Sequence, residues 1–230
     1  MNTPQQLPLT LPLRESSTLE SFVAGDNQAL MTLLVEMPAN VGQAFIWGDP
    51  GTGRSHLLEA SVRRALGRGM SACLLSGSEM LRAAPAMLDG LESMALVAID
   101  DVDDLSGRKD WEEALFHLYN RIQAEQGMML FTARQPPAGA GFRLPDLSSR
   151  LAAGPVFQLH PLDDEGHLLL LQRRAQARGL VLGEEVARYL LSRTSRSTAS
   201  LLDQLDQLDR AALIHKHRLT VPFVKKVLCW

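Results

Sequence analysis

Short apolar runs alternate with segments whose apolar residues recur at helical spacing along most of this chain. Ala44–Trp47, Ala72–Leu75, Leu96–Ile99, Met128–Thr132 and Val156–Leu159 are rich in aliphatic and aromatic residues and read as five strands. Between them the spacing predicts helices. The clearest runs over 111–123, where Trp111, Leu115, Leu118, Tyr119 and Ile122 fall on one side and read as core. Strands that alternate with helices need crossover connections, so the expected fold is α/β, with a parallel five-stranded sheet covered on both faces.

After His160 the strand pattern ends and three or four helices follow, which predicts a small C-terminal helical lid domain. Asp163 or Asp164 caps the first and Gly179 ends it; Leu201, Leu205, Leu208 and Ala212 stripe a later one. Thr220 caps the last, with Pro222 in its first turn and Phe223, Val224, Val227 and Leu228 as its apolar face. The first 17 residues carry three prolines and show no helical period, so they read as an extended tail. The expected division is a tail over 1–18, an α/β domain over 19–160 and a helical lid over 161–230.

Composition narrows the function classes. With 230 residues, 46% of them hydrophobic, the chain can bury one ordinary core and a small satellite. A net charge of −3, with basic and acidic residues interspersed, argues against direct binding to DNA phosphates. The chain shows neither an apolar run of membrane-spanning length nor a basic-plus-apolar leader, so a cytoplasmic protein with no membrane partner is expected. Cys73 and Cys229 are too few for a disulfide framework and lack metal-ligand spacing. His215 and His217, two apart on a helix, face different directions and read as part of a solvated basic patch.

The most informative segment is Gly48-Asp49-Pro50-Gly51-Thr52-Gly53-Arg54-Ser55, between a strand and a helix. It matches the phosphate-binding pattern GxxxxGK[ST] with arginine in place of lysine. Glycines let the backbone wrap a phosphate, the following helix adds its positive end, and Ser55 can offer a hydroxyl to magnesium. The ordinary alternative is a plain glycine-rich turn. Leu96–Asp101 then gives an apolar strand ending in two acids, Asp100 to hold Mg²⁺ and Asp101 to orient water. Arg54 keeps the charge but changes the geometry from a compact ammonium to a planar fork, and Asp101 is shorter than a glutamate; both argue against fast hydrolysis.

Phe22, Gly25, Asp26 and Asn27, the altered loop, the Ile99-Asp100-Asp101 strand end and Leu144–Leu151 occur in the order seen in the DnaA-type AAA+ family, which the chain resembles. Within it, the chain is closer to the Hda-type regulatory inactivators over nearly its whole length. The residues that carry this likeness are Trp111-Glu112-Glu113, Leu118–Arg121, Leu205–Ala211 and Leu219–Lys225.

The resemblance implies a P-loop AAA+ core with a lid, and ADP or ATP with magnesium as cofactors. The nucleotide would be held by Gly48, Asp49, Pro50, Gly51, Thr52, Gly53, Arg54, Ser55 and His56. It also implies that Arg150 is an arginine finger offered in trans, or else a local partner of Asp146. Gln6, Leu7, Leu9 and Leu11 resemble a clamp-binding peptide, although Pro8 and Thr10 depart from the usual arrangement. DnaA and the DNA polymerase III sliding clamp are the implied partners, with DNA reached only through the clamp, since the chain ends where DnaA would continue into a helix-turn-helix domain. A homo-oligomer is the other assembly implied.

Thr132 stands where the family's sensor I residue falls. The sensor II position falls on Ala199, with Arg196 three residues earlier. Phe116 and Asn120, one turn apart, are candidates for a partner contact or for packing. The function expected is regulation of replication initiation by promoting hydrolysis of DnaA-bound ATP. The alternatives are an autonomous AAA+ ATPase or helicase loader, and a factor that only recruits DnaA.

Overall fold

The structure, a computed structural model, describes residues 17–37, 42–194, 197–215 and 218–230. The clamp-peptide candidates Gln6, Leu7, Leu9 and Leu11, and the lid candidate Arg196, lie outside them. The described chain runs α1 (Gln28–Glu36), β1 (Gln43–Trp47), α2 (Arg54–Gly67), β2 (Ala72–Ser76), α3 (Gly77–Met80), β3 (Leu96–Asp100), α4 (Lys109–Ala124), β4 (Met128–Ala133), α5 (Pro145–Leu151) and β5 (Val156–Gln158). The helices α6 (Asp164–Ala177), α7 (Glu184–Arg193), α8 (Thr198–His215) and α9 (Val221–Leu228) follow.

The strands form one parallel sheet in the order β2-β3-β4-β1-β5. The apolar runs of β1 to β4 are buried because helices cover them, and Phe45, Val97, Ile99, Met129 and Phe131 join Trp111, Leu115, Leu118 and Ile122 of α4 in one core. Phe45 and Phe131 on adjacent strands pack ring to ring at 6.3 Å. β5 departs from the expected Val156–Leu159: it stops at Gln158, and Val156 and Gln158 are exposed. Its pairing with β1 alone makes it an edge strand, and an apolar run in sequence does not distinguish an edge from a centre.

The described chain separates into two compact units, one containing Ala29–Leu159 and the other Glu20–Gln28 with His160–Trp230. Glu20–Gln28 therefore clusters with the lid helices, whereas the sequence division places it in the α/β domain. The reason is a pair of long-range hydrogen bonds. The Asn27 side chain donates to the His160 carbonyl at 3.0 Å and accepts the His160 N–H at 2.8 Å. A Cβ on Gly25 would touch Leu162.

Lid helix boundaries follow their cap chemistry. Asp163 accepts the Gly166 N–H at 2.7 Å and opens α6; Gly179, at φ 74°, follows its end. Thr220 accepts from Phe223 and opens α9 around Pro222. Leu201, Leu205, Leu208 and Ala212 are buried with Phe223 and Val224 in the lid's own core.

Among the buried polar groups of the α/β unit is a carboxylate that joins two loops. Glu112 on α4 is 1% exposed and accepts three backbone N–H groups, from Gly107 at 2.6 Å, Arg143 at 2.9 Å and Leu144 at 2.7 Å. Those N–H groups belong to the turn before α4 and to the segment leading into α5, so one carboxylate fixes two loops. Replacing it leaves three part-buried donors without that partner, each worth about a kcal/mol. Glu112→Ala is expected to lower unfolding stability by about 3 kcal/mol in urea titrations, and Glu112→Gln by less. A loss under about 0.5 kcal/mol would refute the structural role of this carboxylate.

Candidate functional site

β1 ends at Trp47 and the chain enters the glycine loop. Gly48 is the turn's tightest point, where a Cβ would stand 2.6 Å from the Leu159 carbonyl oxygen, so only glycine passes β5's end. Gly51 and Gly53 adopt φ 84° and 103°, left-handed conformations that glycine enters without a steric penalty. Thr52 closes the turn through its hydroxyl to the Asp49 carbonyl at 2.8 Å. α2 then begins at Arg54, so the loop's N–H groups and the helix's positive end share one place, with Asp49, Pro50, Gly51 and Ser55 exposed around it.

Arg54 does not reach outward. Its side chain is buried, donates through Nη1 to the Gly48 carbonyl at 2.8 Å, and pairs through Nη2 with Asp101 Oδ1 at 2.8 Å. The planar fork expected to face phosphates is satisfied instead by its own loop and by the second acid of β3. His56 is likewise engaged, with Nε2 3.0 Å from the Thr18 carbonyl, tying α2 to the start of the described chain.

Asp100 and Asp101 end β3 beside β4. The Thr132 hydroxyl donates to Asp100 Oδ1 at 2.5 Å and accepts the Asp101 N–H at 2.9 Å, while Thr132 itself is fully buried. Asp101 has φ 47° and ψ 53°. Burial lifts its carboxyl above the ordinary aspartate range; the charge of Asp100 adds to this, Arg54 opposes it, and Asp103 and Asp104 push it further up. Asp103 and Asp104 are themselves paired with Arg134, just beyond β4.

Arg150 lies in the last turn of α5, exposed, with its guanidinium carbon 5.9 Å from the centre of the Tyr119 ring. No described pairing joins it to Asp146. Its carbonyl accepts from Gln43 Nε2 at 2.8 Å, and Leu147 and Leu151 of the same helix are buried in the core.

The fold brings Arg54, Asp100, Asp101 and Thr132, each singled out in the sequence, to one end of the sheet. Gln43 and Glu112 join the site's support without having been singled out for it; their one signal is a polar residue beside buried apolar ones. Phe116 is partly buried against the main core, and Asn120 is half-buried. Ala199 lies in the first turn of α8, where Thr198 meets His167 at 3.2 Å. Cys73 is buried and its thiol is pushed up to about 11, so it is no nucleophile at neutral pH. Cys229 is exposed.

Residues 13–157 match the family described as the bacterial DnaA ATPase domain. The chain belongs to this family. Residues 164–228 of this DnaA-family protein match the lid domain described for Hda, so it is a DnaA-related AAA+ protein with an Hda-type lid. In architecture it is similar to domain III of the Thermotoga maritima replication initiation protein DnaA, at 20% identity, TM-score 0.84, and coverage of 95% of this chain and 98% of that one. AMPPCP-bound DnaA from Aquifex aeolicus is 25% identical, TM-score 0.74, over 85% of this chain and 66% of that one. The Thermotoga maritima RuvB Holliday junction branch migration motor shares the fold at 18% identity, TM-score 0.72, over 92% of this chain and 71% of that one. Among the described residues no helix is long and apolar enough to cross a membrane.

The hydroxyl of Thr132 is the polar hinge of this DnaA-family site. Thr132→Val keeps the shape and removes the hydroxyl, leaving the Asp100 carboxylate and the Asp101 N–H without that partner. The expected cost is about 2 kcal/mol in denaturant unfolding, with Thr132→Ser close to wild type. Equal stability of the valine and wild-type proteins would show that the bridge contributes nothing.

Proposed function

We propose that this DnaA-family protein regulates replication initiation by driving hydrolysis of ATP bound to DnaA, which converts DnaA to its inactive ADP form. The observation that carries this reading is a contrast between two arginines. Arg54, in the chain's own loop, is buried and paired with Asp101, while Arg150 is presented on the surface by a helix packed into the core.

Gly48–Ser55 would hold ADP or ATP, with backbone N–H groups on the phosphates. The AMPPCP-bound state of the Aquifex aeolicus DnaA relative supports this assignment. The Ser55 hydroxyl and the Asp100 carboxylate are hard oxygen donors of the kind magnesium takes. Among the described residues no cluster of three or more His, Cys, Asp or Glu could hold a metal by itself, so phosphate oxygens would complete the shell. When bound, the ion would neutralise phosphate charge. Asp101 is the candidate for orienting water, but it is already committed to Arg54, which favours retention of nucleotide over turnover.

Arg150 would act on the neighbour. As water attacks the γ-phosphorus of DnaA-bound ATP and the β–γ bridging oxygen departs with ADP, charge grows on the transferring phosphoryl oxygens, and a guanidinium donated in trans stabilises it. The sliding clamp of DNA polymerase III would raise the local concentration by holding Gln6, Leu7, Leu9 and Leu11. In this reading the protein is cytoplasmic, works at the replisome, and reaches DNA only through the clamp.

A second reading, an autonomous ATPase or helicase loader, is favoured by the intact arrangement of Asp100, Asp101 and Thr132.

The deciding experiment measures hydrolysis of DnaA-bound ATP with and without this protein, in the presence of DNA-loaded clamp and ADP. Stimulation is expected to require the clamp and to disappear when Gln6→Ala is combined with Leu7→Ala. Arg150→Ala is expected to cut the stimulated rate about a hundredfold, the scale of losing one transition-state donor. Stimulation undiminished in Arg150→Ala would remove the finger assignment. Robust ATP turnover by the isolated protein, abolished by Asp101→Asn, would favour the second reading.

A further inference from the structure

We infer that Tyr119 is the positioning residue of Arg150, its ring forming the platform that aims the guanidinium before a partner arrives. This rests on Arg150 being the finger, and adds how a surface arginine on a seven-residue helix is held ready.

A helix this short is not stable alone, so its direction must come from its neighbours. At its N-terminal side, Glu112 accepts the N–H groups of Arg143 and Leu144. At its C-terminal end the carbonyl of Arg150 accepts from Gln43 Nε2. Gln43 is itself confined, since a Cβ on Gly154 would lie 2.5 Å from its Cγ. Leu147 and Leu151 bury the inner face of α5.

The backbone of Arg150 is thus fixed from β1 and α4, and the remaining freedom is in its side chain. Tyr119 lies seven residues beyond Glu112 on α4, two turns along the same face, and is 6% exposed. Its ring meets the guanidinium at 5.9 Å, within the range of attraction between a cation and an aromatic face. One face of α4 therefore supports both the helix and the charged group at its tip. An arginine already confined in direction loses less freedom when it meets a phosphoryl group, and small misplacements of such a group are costly to the rate.

The test compares clamp-dependent hydrolysis of DnaA-bound ATP by Tyr119→Leu, Tyr119→Phe and Arg150→Ala proteins whose folding is checked by circular dichroism. Tyr119→Leu keeps an apolar side chain but no aromatic face. Its maximal rate is expected to fall about tenfold at an unchanged half-saturating concentration. Tyr119→Phe should restore the rate, and adding Tyr119→Leu to Arg150→Ala should cost nothing further.

Wild-type turnover in Tyr119→Leu, equal damage from phenylalanine and leucine, or an undiminished leucine effect in the Arg150→Ala background would each overturn the positioning role while leaving the finger in place. An Arg150→Ala protein as active as wild type would sink the finger and this inference with it. A measurement that needs neither DnaA nor a change at Tyr119 keeps the question open to refutation. The chain has two tyrosines, and the positive charge of Arg150 opposes the upward push of burial on the Tyr119 phenol. In Arg150→Ala that phenol should titrate at higher pH, and an unmoved titration would overturn the contact.

Discussion

Asp101 adopts a left-handed backbone conformation at the end of β3, a state that costs a non-glycine residue about 1 kcal/mol or more. The neighbouring elements hold it there. Thr132 takes its N–H, Arg54 takes its carboxylate, and Gly77 leaves room where any Cβ would stand 2.3 Å from its carbonyl oxygen. The turn lets two successive acids address different neighbours, with Asp100 bonded to β4 and Asp101 paired with the start of α2. β4 lies between β3 and β1 in the sheet, so Thr132 stands between the acidic strand end and the glycine loop. Site geometry here is a consequence of strand order.

Much of this was legible locally. The glycine loop and the acidic strand end are recognisable because their chemistry depends on spacing within a few residues, and all five strands fall within a residue of the apolar runs that announce them. What escaped was long-range. Glu112 sits beside Trp111 on the buried face of α4, and a charge there signals an internal acceptor. Its partners near Arg143, however, are some thirty residues away and join it only through the fold. Gln43 looks like the polar start of a strand until β5's approach brings Arg150 beside it. The place of Glu20–Gln28 is settled by Asn27 and His160, 133 residues apart. β5's edge position is likewise set by the sheet and not by its own residues.

The substitution of arginine for lysine in the loop acquires a physical meaning from these contacts. A lysine ammonium is a point charge on a flexible stem and can swing between a loop carbonyl and a phosphate. Arginine offers two directed donors in one plane; here Nη1 donates to the Gly48 carbonyl and Nη2 is ion-paired with Asp101 Oδ1, both at 2.8 Å. To turn Arg54 towards a ligand would break the bond to Gly48 and leave the Asp101 carboxylate, already lifted by burial, without its compensating charge. The guanidinium is therefore already engaged, and an incoming phosphate must compete with Asp101 for it.

In the proposed reading the Arg54–Asp101 pairing would work against chemistry at the chain's own loop, and it leaves Arg150 untouched. α5 draws its support from Glu112, Gln43 and the core beneath Leu147 and Leu151, none of which bonds to Arg54 or Asp101. Under the proposed function, a chain that pairs its own acid while holding a cation ready on its surface would separate binding a nucleotide from assisting the hydrolysis of another. In the regulator proposed above, which would act on many copies of its target, that separation would have a direct use. Hydrolysis in its own loop would change its state with each turnover, whereas an arginine donated outward returns unchanged when the partner leaves.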